Sequence, residues 1–185
     1  MTSLRDRLRA DTAFRHDCVD RAYSALDLTQ PDDLRTFLRT QLTVLCDMSC
    51  RPSRHSAAAT ALASRMADAL RADLRALGGT PVGSGGARPL HGTAVLYMLL
   101  GSSLGTQVLR RRWLGASNPA VAAADRYFGL AAPQGAWRAL CEELAGRSPH
   151  GPEADRIVQD ADALFELHLA ALAGPALRPE GVLHV

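Results

Sequence analysis

The chain is short of aromatic residues, which make up 5% of its 185 residues. It also has little net charge, +2 with histidines neutral. So small an excess, with the arginines spread along the chain and not gathered into a tail, gives no electrostatic footprint for nucleic acid. There is no internal repeat, no low-complexity tract and no segment with a convincing strand pattern. The start, Met1-Thr2-Ser3-Leu4-Arg5-Asp6, runs straight into charged residues without the apolar stretch of an export signal, so a cytoplasmic location is expected. In that setting Cys18, Cys46, Cys50 and Cys141 are expected as free thiols. Cys46-x-x-x-Cys50 with His55 nearby has looser spacing than a structural zinc site and reads as half-buried cysteines at a helix end.

What the sequence does have is apolar residues at helical spacing almost throughout. The length fits one domain with a core of useful size. Ser3 caps a first helix that reaches about Leu26. A second follows Thr29-Gln30-Pro31-Asp32, with Thr29 as cap and Leu34, Phe37, Leu38, Leu42 and Leu45 as its stripe. A third spans about Ser56 to Leu77, carries Leu62, Met66, Leu70 and Leu74 at i+4 steps, and ends at Gly78-Gly79. Thr80 to Leu90 reads as a Gly/Pro-rich loop. A fourth helix covers about Gly92 to Trp113. A short fifth opens at Asn118-Pro119, a sixth covers Pro133 to Leu144, and a seventh runs from Pro152 to about Leu172. The expected fold is therefore an all-α, single-domain helical bundle over residues 1–174, with a flexible tail at 175–185. Residues 89–109 carry no charged side chain, but their Ser, Thr, Gln and His content suits a buried bundle helix better than a membrane span, so no membrane partner is expected.

Two segments stand out. On the first helix, His16 lies at the border of the apolar stripe Leu4, Leu8, Val19, Ala22 and Leu26. Arg5, Arg9 and Tyr23 project within about 20° of the same direction at 100° per residue. An imidazole half in and half out of the core, with cations one or two turns away, suits an iron ligand beside the acidic edge of a porphyrin. On this helix alone a plain boundary histidine with solvated arginines is the favoured reading, because boundary histidines are common and haem proteins are not. His168, beside the stripe of the last helix, is the main competitor, since His55, His91 and His150 lie near loops or helix starts and His184 lies in the tail. In the fourth helix, Gly101 and Gly105 share one face with Tyr97, Val108 and Arg112. Each glycine inside a helix costs about 1 kcal/mol relative to alanine. Two together call either for a closely packed neighbouring helix or for close approach of a flat ligand.

Taken together, the segments resemble the haem oxygenase family. Leu8-Arg9-x-x-Thr12-x-x-x-His16 is similar to that family's N-terminal pattern, and Gly101-Ser102-Ser103-Leu104-Gly105 followed by Gln107-Val108-Leu109 is similar to its distal helix. The short bacterial branch that supplies biliverdin to bacteriophytochromes is the nearest in form. Weaker similarity continues through Tyr127-Phe128 and Trp137-Arg138-Ala139-Leu140, so the resemblance covers nearly the whole chain. It departs at Leu100, where that branch often has Glu, at Thr106, where it often has a further glycine, and at Ser102, where the animal-like branch has a water-ordering Asp.

The resemblance implies a haem oxygenase-type bundle with haem b, both cofactor and substrate, between the first helix and the glycine-containing distal helix. His16 would be the iron ligand. Arg5, Arg9, Thr12, Tyr97, Gly101, Gly105 and Arg112 would contact the haem, and Gly101, Ser102, Gly105 and Thr106 would form the distal catalytic face. The implied reaction is oxidative cleavage of haem to biliverdin, carbon monoxide and ferrous iron with O2. Its implied partners are an external electron donor such as ferredoxin with its reductase, and a bacteriophytochrome as acceptor. The Arg110-Arg111-Arg112 cluster could meet an acidic reductase, a propionate, or simply the helix dipole. The alternatives are a haem-binding protein of the same fold used for transport or sensing, and a helical bundle without haem.

Overall fold

The computed structural model describes residues 3–80 and 86–174; the tail at 175–185, with His184, lies outside them. Seven helices are present among these residues: α1 Leu4–Ser24, α2 Pro31–Cys46, α3 Ser56–Ala76, α4 Gly92–Trp113, α5 Pro119–Ala123, α6 Ala136–Ala145 and α7 Pro152–Ala173. The starts of α1 and α5 are set by side chains as expected. The Ser3 hydroxyl accepts from the Asp6 amide while the Asp6 carboxylate accepts from the Ser3 amide, a reciprocal box that satisfies two orphan donors. Asn118 accepts from the Ala120 and Val121 amides ahead of Pro119. At the end of α3, Gly78 takes φ +70°, and the Gly78 and Gly79 amides bond back to the Arg75 and Leu74 carbonyls in a Schellman closure.

Three expectations are corrected. Thr29 does not cap α2: Gln30 holds that position without a side-chain bond, and the Thr29 hydroxyl donates to Asp27 instead. The sixth helix starts at Ala136, after Gly135 at φ +76°, and not at Pro133. Two strands exist, β1 Met48–Arg51 and β2 Arg88–His91, paired in parallel with Ser49 opposite Pro89. Thus α3 is the crossover of a small β-α-β unit, and the end of the expected loop is strand. β2 runs directly into α4 through Gly92. A Cβ there would lie 2.5 Å from Ser53 Oγ and 2.9 Å from Ser56 Cα, so only glycine lets α4 start against the beginning of α3.

The helix faces meet in one hydrophobic core. α7 is its centre and packs on α1, α2 and α4, while α3 joins α2 to α4 and α6 bridges α1 and α4. α1 and α4 do not form a packed pair in this arrangement. α4 is long and apolar enough to cross a membrane by length and composition, but its N-terminal half, including Ala94, Val95, Leu99 and Leu100, is buried in this core. The buried stripe of α1 is Leu4, Leu8, Thr12, Val19 and Tyr23. It turns toward the His16 direction in its second half, where Ala22 and Leu26 were expected to lie inward and are only half-buried.

Candidate functional site

The gap between α1 and α4 is a slot of about 590 Å³, within the range of small-molecule and cofactor cavities. One wall is α1, through His16, Val19, Asp20, Tyr23 and Ser24. The other is α4, through Tyr97, Met98, Gly101, Ser102, Gly105, Thr106 and Leu109. α2 and α7 form the floor with Phe37, Gln41, Phe165 and His168, and Trp137 of α6 closes one end against Tyr97, the ring centroids 5.1 Å apart. At the mouth, Leu104 and Val108 remain more than half exposed, unusual for large aliphatic side chains on a core helix.

His16 is the more accessible of the two imidazoles on this slot. Its Nδ1 lies 3.3 Å from an Asp20 carboxylate oxygen and 4.0 Å from Asp17, and its ring stands edge-on to Phe165 at 5.5 Å. A carboxylate on one imidazole nitrogen orients the ring and leaves the other for a ligand, as in second shells of metal-bound histidines. The second imidazole, His168, is buried, with Nδ1 2.7 Å from the Tyr23 hydroxyl. Burial pulls its pKa down to about 4 and pushes Tyr23 well up, so the pair is neutral. The other described histidines are engaged elsewhere: His55 bridges Thr93 and Glu143, His91 accepts from the Thr93 amide, and His150 sits exposed before α7. Among the described residues no cluster of three or more His, Cys, Asp or Glu converges as a metal site; one axial imidazole on a haem needs no such cluster.

The two glycines of α4 have different surroundings. A Cβ on Gly101 would lie 3.3 Å from Cη2 of Trp137, so this glycine lets the indole of α6 settle against the helix. A Cβ on Gly105 would meet nothing within 4 Å. No neighbouring helix explains Gly105; open slot faces it. The hydroxyls beside them turn back on their own helix, Ser102 to the Leu99 carbonyl and Thr106 to the Ser102 carbonyl. Their protons are spent locally, and their remaining lone pairs are what they offer a ligand or water. Beneath Thr106, the buried Tyr127 hydroxyl reaches toward Gln41 at 3.5 Å, its pKa pushed by burial to about 12.

Of the residues picked from sequence, His16, Tyr97, Gly101, Ser102, Gly105 and Thr106 line one slot. Arg5, Arg9, Thr12 and Arg112 do not. The Thr12 hydroxyl is buried on the Leu8 carbonyl. Arg112 donates to the Ser24 and Leu26 carbonyls, strapping the end of α4 to the end of α1. Arg5 and Arg9 stand exposed on α1, near enough to Tyr97 to favour its ionised form against the stronger effect of burial. Asp20, Phe165, Gln41 and Trp137 were not picked; only Asp20 carried a local signal, its i+4 spacing from His16. Compared with protein-family models, with curated proteins and with solved structures, the chain matches none.

Proposed function

We propose that the slot is a haem site in a bundle of the haem oxygenase type, and that the protein cleaves haem oxidatively to biliverdin, carbon monoxide and ferrous iron. The observation that carries this reading is the pairing across the slot: an orientable imidazole on α1 faces a helix whose Gly105 leaves open space where a side chain would stand. The slot is large enough for a cofactor, and its mouth is apolar where a porphyrin face would need cover.

Haem in this site would supply the oxygen-activating iron and would itself be the substrate, while the protein contributes binding and orientation. His16 would be the residue that holds the iron, with Asp20 beside its Nδ1 and the Phe165 ring edge-on to it steadying the imidazole. Gly105 would leave room for the group against the α4 backbone, and the exposed Leu104 and Val108 would give it apolar cover. Ser102 and Thr106 accept hydrogen bonds from distal water, and no carboxylate stands on that wall to deliver a strong acid. Arg5 and Arg9 do not line the slot, but their long exposed side chains on α1 could extend toward the acidic groups of a bound haem. Electrons come from an external donor of the ferredoxin and reductase kind, and a bacteriophytochrome is a fitting acceptor for the product.

A second reading is a haem carrier or sensor of the same fold. It is favoured by the hydroxyls of Ser102 and Thr106, which spend their protons on carbonyls of their own helix. One experiment separates the two. Haem is titrated into the protein, then ascorbate or ferredoxin with its reductase is added in air. Loss of the haem spectrum with growth of biliverdin absorbance supports the oxygenase; a haem spectrum that persists supports the carrier. Absence of stoichiometric haem binding, or binding that His16→Ala leaves unchanged in affinity and spectrum, removes both.

A further inference from the structure

On the far side of α4 a second cavity of about 210 Å³ opens between α3, α4 and the segment that follows α5. Its apolar walls include Leu62 and Met66 of α3, and Phe128 and Leu130 of that segment. Among the described residues no carboxylate lines it. Two guanidiniums do, Arg65 from α3 and Arg110 from α4. Most arginines near the core are committed: Arg7 to Asp11 and Asp155, Arg15 to Asp162 and Glu166, Arg147 to Glu153. Arg65 and Arg110 have neither an ion pair nor a side-chain hydrogen bond among the described residues. The Gln107 carboxamide, also at this cavity, is likewise without a partner there.

Two guanidiniums brought from different helices to one apolar opening offer an anion two charge-assisted contacts. The guanidinium fork matches a carboxylate in shape as well as charge. Size narrows the class further. A dry cavity of about 150 Å³ holds one benzene ring, so this one takes a single ring, or a branched chain of that bulk, with a carboxylate at its mouth. We propose that this cavity is a binding site for a small amphipathic carboxylate. Arg65 and Arg110 hold its anionic group, and Leu62, Met66, Phe128 and Leu130 hold its apolar body. The site is separate from the slot, with which it shares only Thr106 as a lining residue, and it does not depend on the haem reading.

The test uses the full chain without haem, benzoate as probe and benzamide as its neutral isostere. Binding is followed by calorimetry and by backbone amide NMR shifts. Saturable benzoate binding at millimolar concentrations is expected, with shifts centred on Leu62, Met66 and Leu130. Arg65→Gln and Arg110→Gln should each weaken it about tenfold, the usual scale of one charge-assisted contact, and benzamide should be weaker by a similar factor. Both arginines are exposed, so the variants keep the fold, which circular dichroism checks. Absence of saturation, equal binding of benzamide, unchanged affinity in both variants, or shifts centred on Tyr97 and Gly105 would each overturn the proposal. Haem binding, read separately by absorbance, is untouched by any of these outcomes.

Discussion

The Tyr23 hydroxyl on α1 lies 2.7 Å from Nδ1 of His168 on α7, and both side chains are buried in the floor of the slot. This contact joins the wall that carries His16 to the central helix of the bundle. Burial of the His168 ring makes the fold sensitive to acid. Burial lowers the His168 pKa from 6.5 to about 4, so between those values the unfolded chain binds a proton that the folded chain refuses. Stability contributed by the neutral ring is complete above pH 6.5 and is lost as pH falls toward 4. The size is on the order of 3 kcal/mol. His91, whose pKa is also lowered chiefly by burial, acts in the same direction. Urea unfolding across this window should show a steep fall for the native chain and a shallower one for His168→Gln, which still offers Tyr23 an acceptor. Parallel profiles would show that His168 is not the titrating group.

Asp20 gives a prediction specific to the proposed iron ligand. Its carboxylate is 3.3 Å from Nδ1 of His16, and both side chains are more than half exposed. The pair therefore matters little to the free protein. A carboxylate behind a metal-bound imidazole matters more, and its loss typically weakens metal binding by about 10-fold to 100-fold. Asp20→Ala should leave the unfolding midpoint of the free protein where it is and weaken haem binding by about tenfold or more. Asp17, 4.0 Å from the same nitrogen, is a weaker substitute. Equal haem affinity in Asp20→Ala and the native chain would mean that Asp20 does not orient the ligand.

Asp73 ties the far cavity and the slot floor to the bundle. It is buried in α3, and its two oxygens accept from the Arg126 and Tyr127 amides at 3.0 and 2.8 Å. Burial raises its pKa, while these two bonds pull the other way. The segment they hold carries Tyr127 and Phe128, and Phe128 stacks on Phe37 at 5.8 Å and on Trp113 at 5.3 Å. Asp73→Ala leaves both amides without an acceptor, at a cost of about 2–3 kcal/mol. Asp73→Asn, which keeps one acceptor oxygen, should cost less. Urea unfolding measures both, and limited proteolysis should cut Asp73→Ala first within the segment after α5.

What was readable in the sequence follows the range of the interactions involved. Ser3 with Asp6, Asn118 with Pro119, and Gly78 act on residues within a turn of themselves, and their caps fall where expected. Helical period places Tyr97, Gly101 and Gly105 on one face of α4 and His16 at the border of the α1 stripe, but it is the family resemblance that singles them out. The same period puts Arg5 and Arg9 beside His16, although they do not line the slot. The floor could not be read this way. Phe37, Gln41 and Phe165 belong to helices that reach the slot only through tertiary packing. Nothing near Arg112 announces that its guanidinium caps carbonyls at Ser24 and Leu26, some eighty-odd residues earlier. The strands were missed because each has four residues, too few for an alternating pattern. One of them also contains Pro89, which cannot donate to the ladder and argues locally against a strand.

Gly105 offers the sharpest separation between a glycine kept for packing and one kept for a ligand. In Gly101→Ala the new methyl would sit 3.3 Å from the Trp137 ring, so the indole must give way and the gain in helix propensity is offset. In Gly105→Ala the methyl meets no atom of the described residues within 4 Å, beyond the helix's own backbone. The free protein should then gain up to about 1 kcal/mol from the better helix former. That same methyl projects into the space through which the α4 backbone would approach a porphyrin. The expected result is an opposed pair of effects: a higher unfolding midpoint without haem, and weaker haem binding with a shifted absorbance maximum. A variant that is more stable and binds haem as the native chain does would show that the open face of α4 is not where the ligand lies.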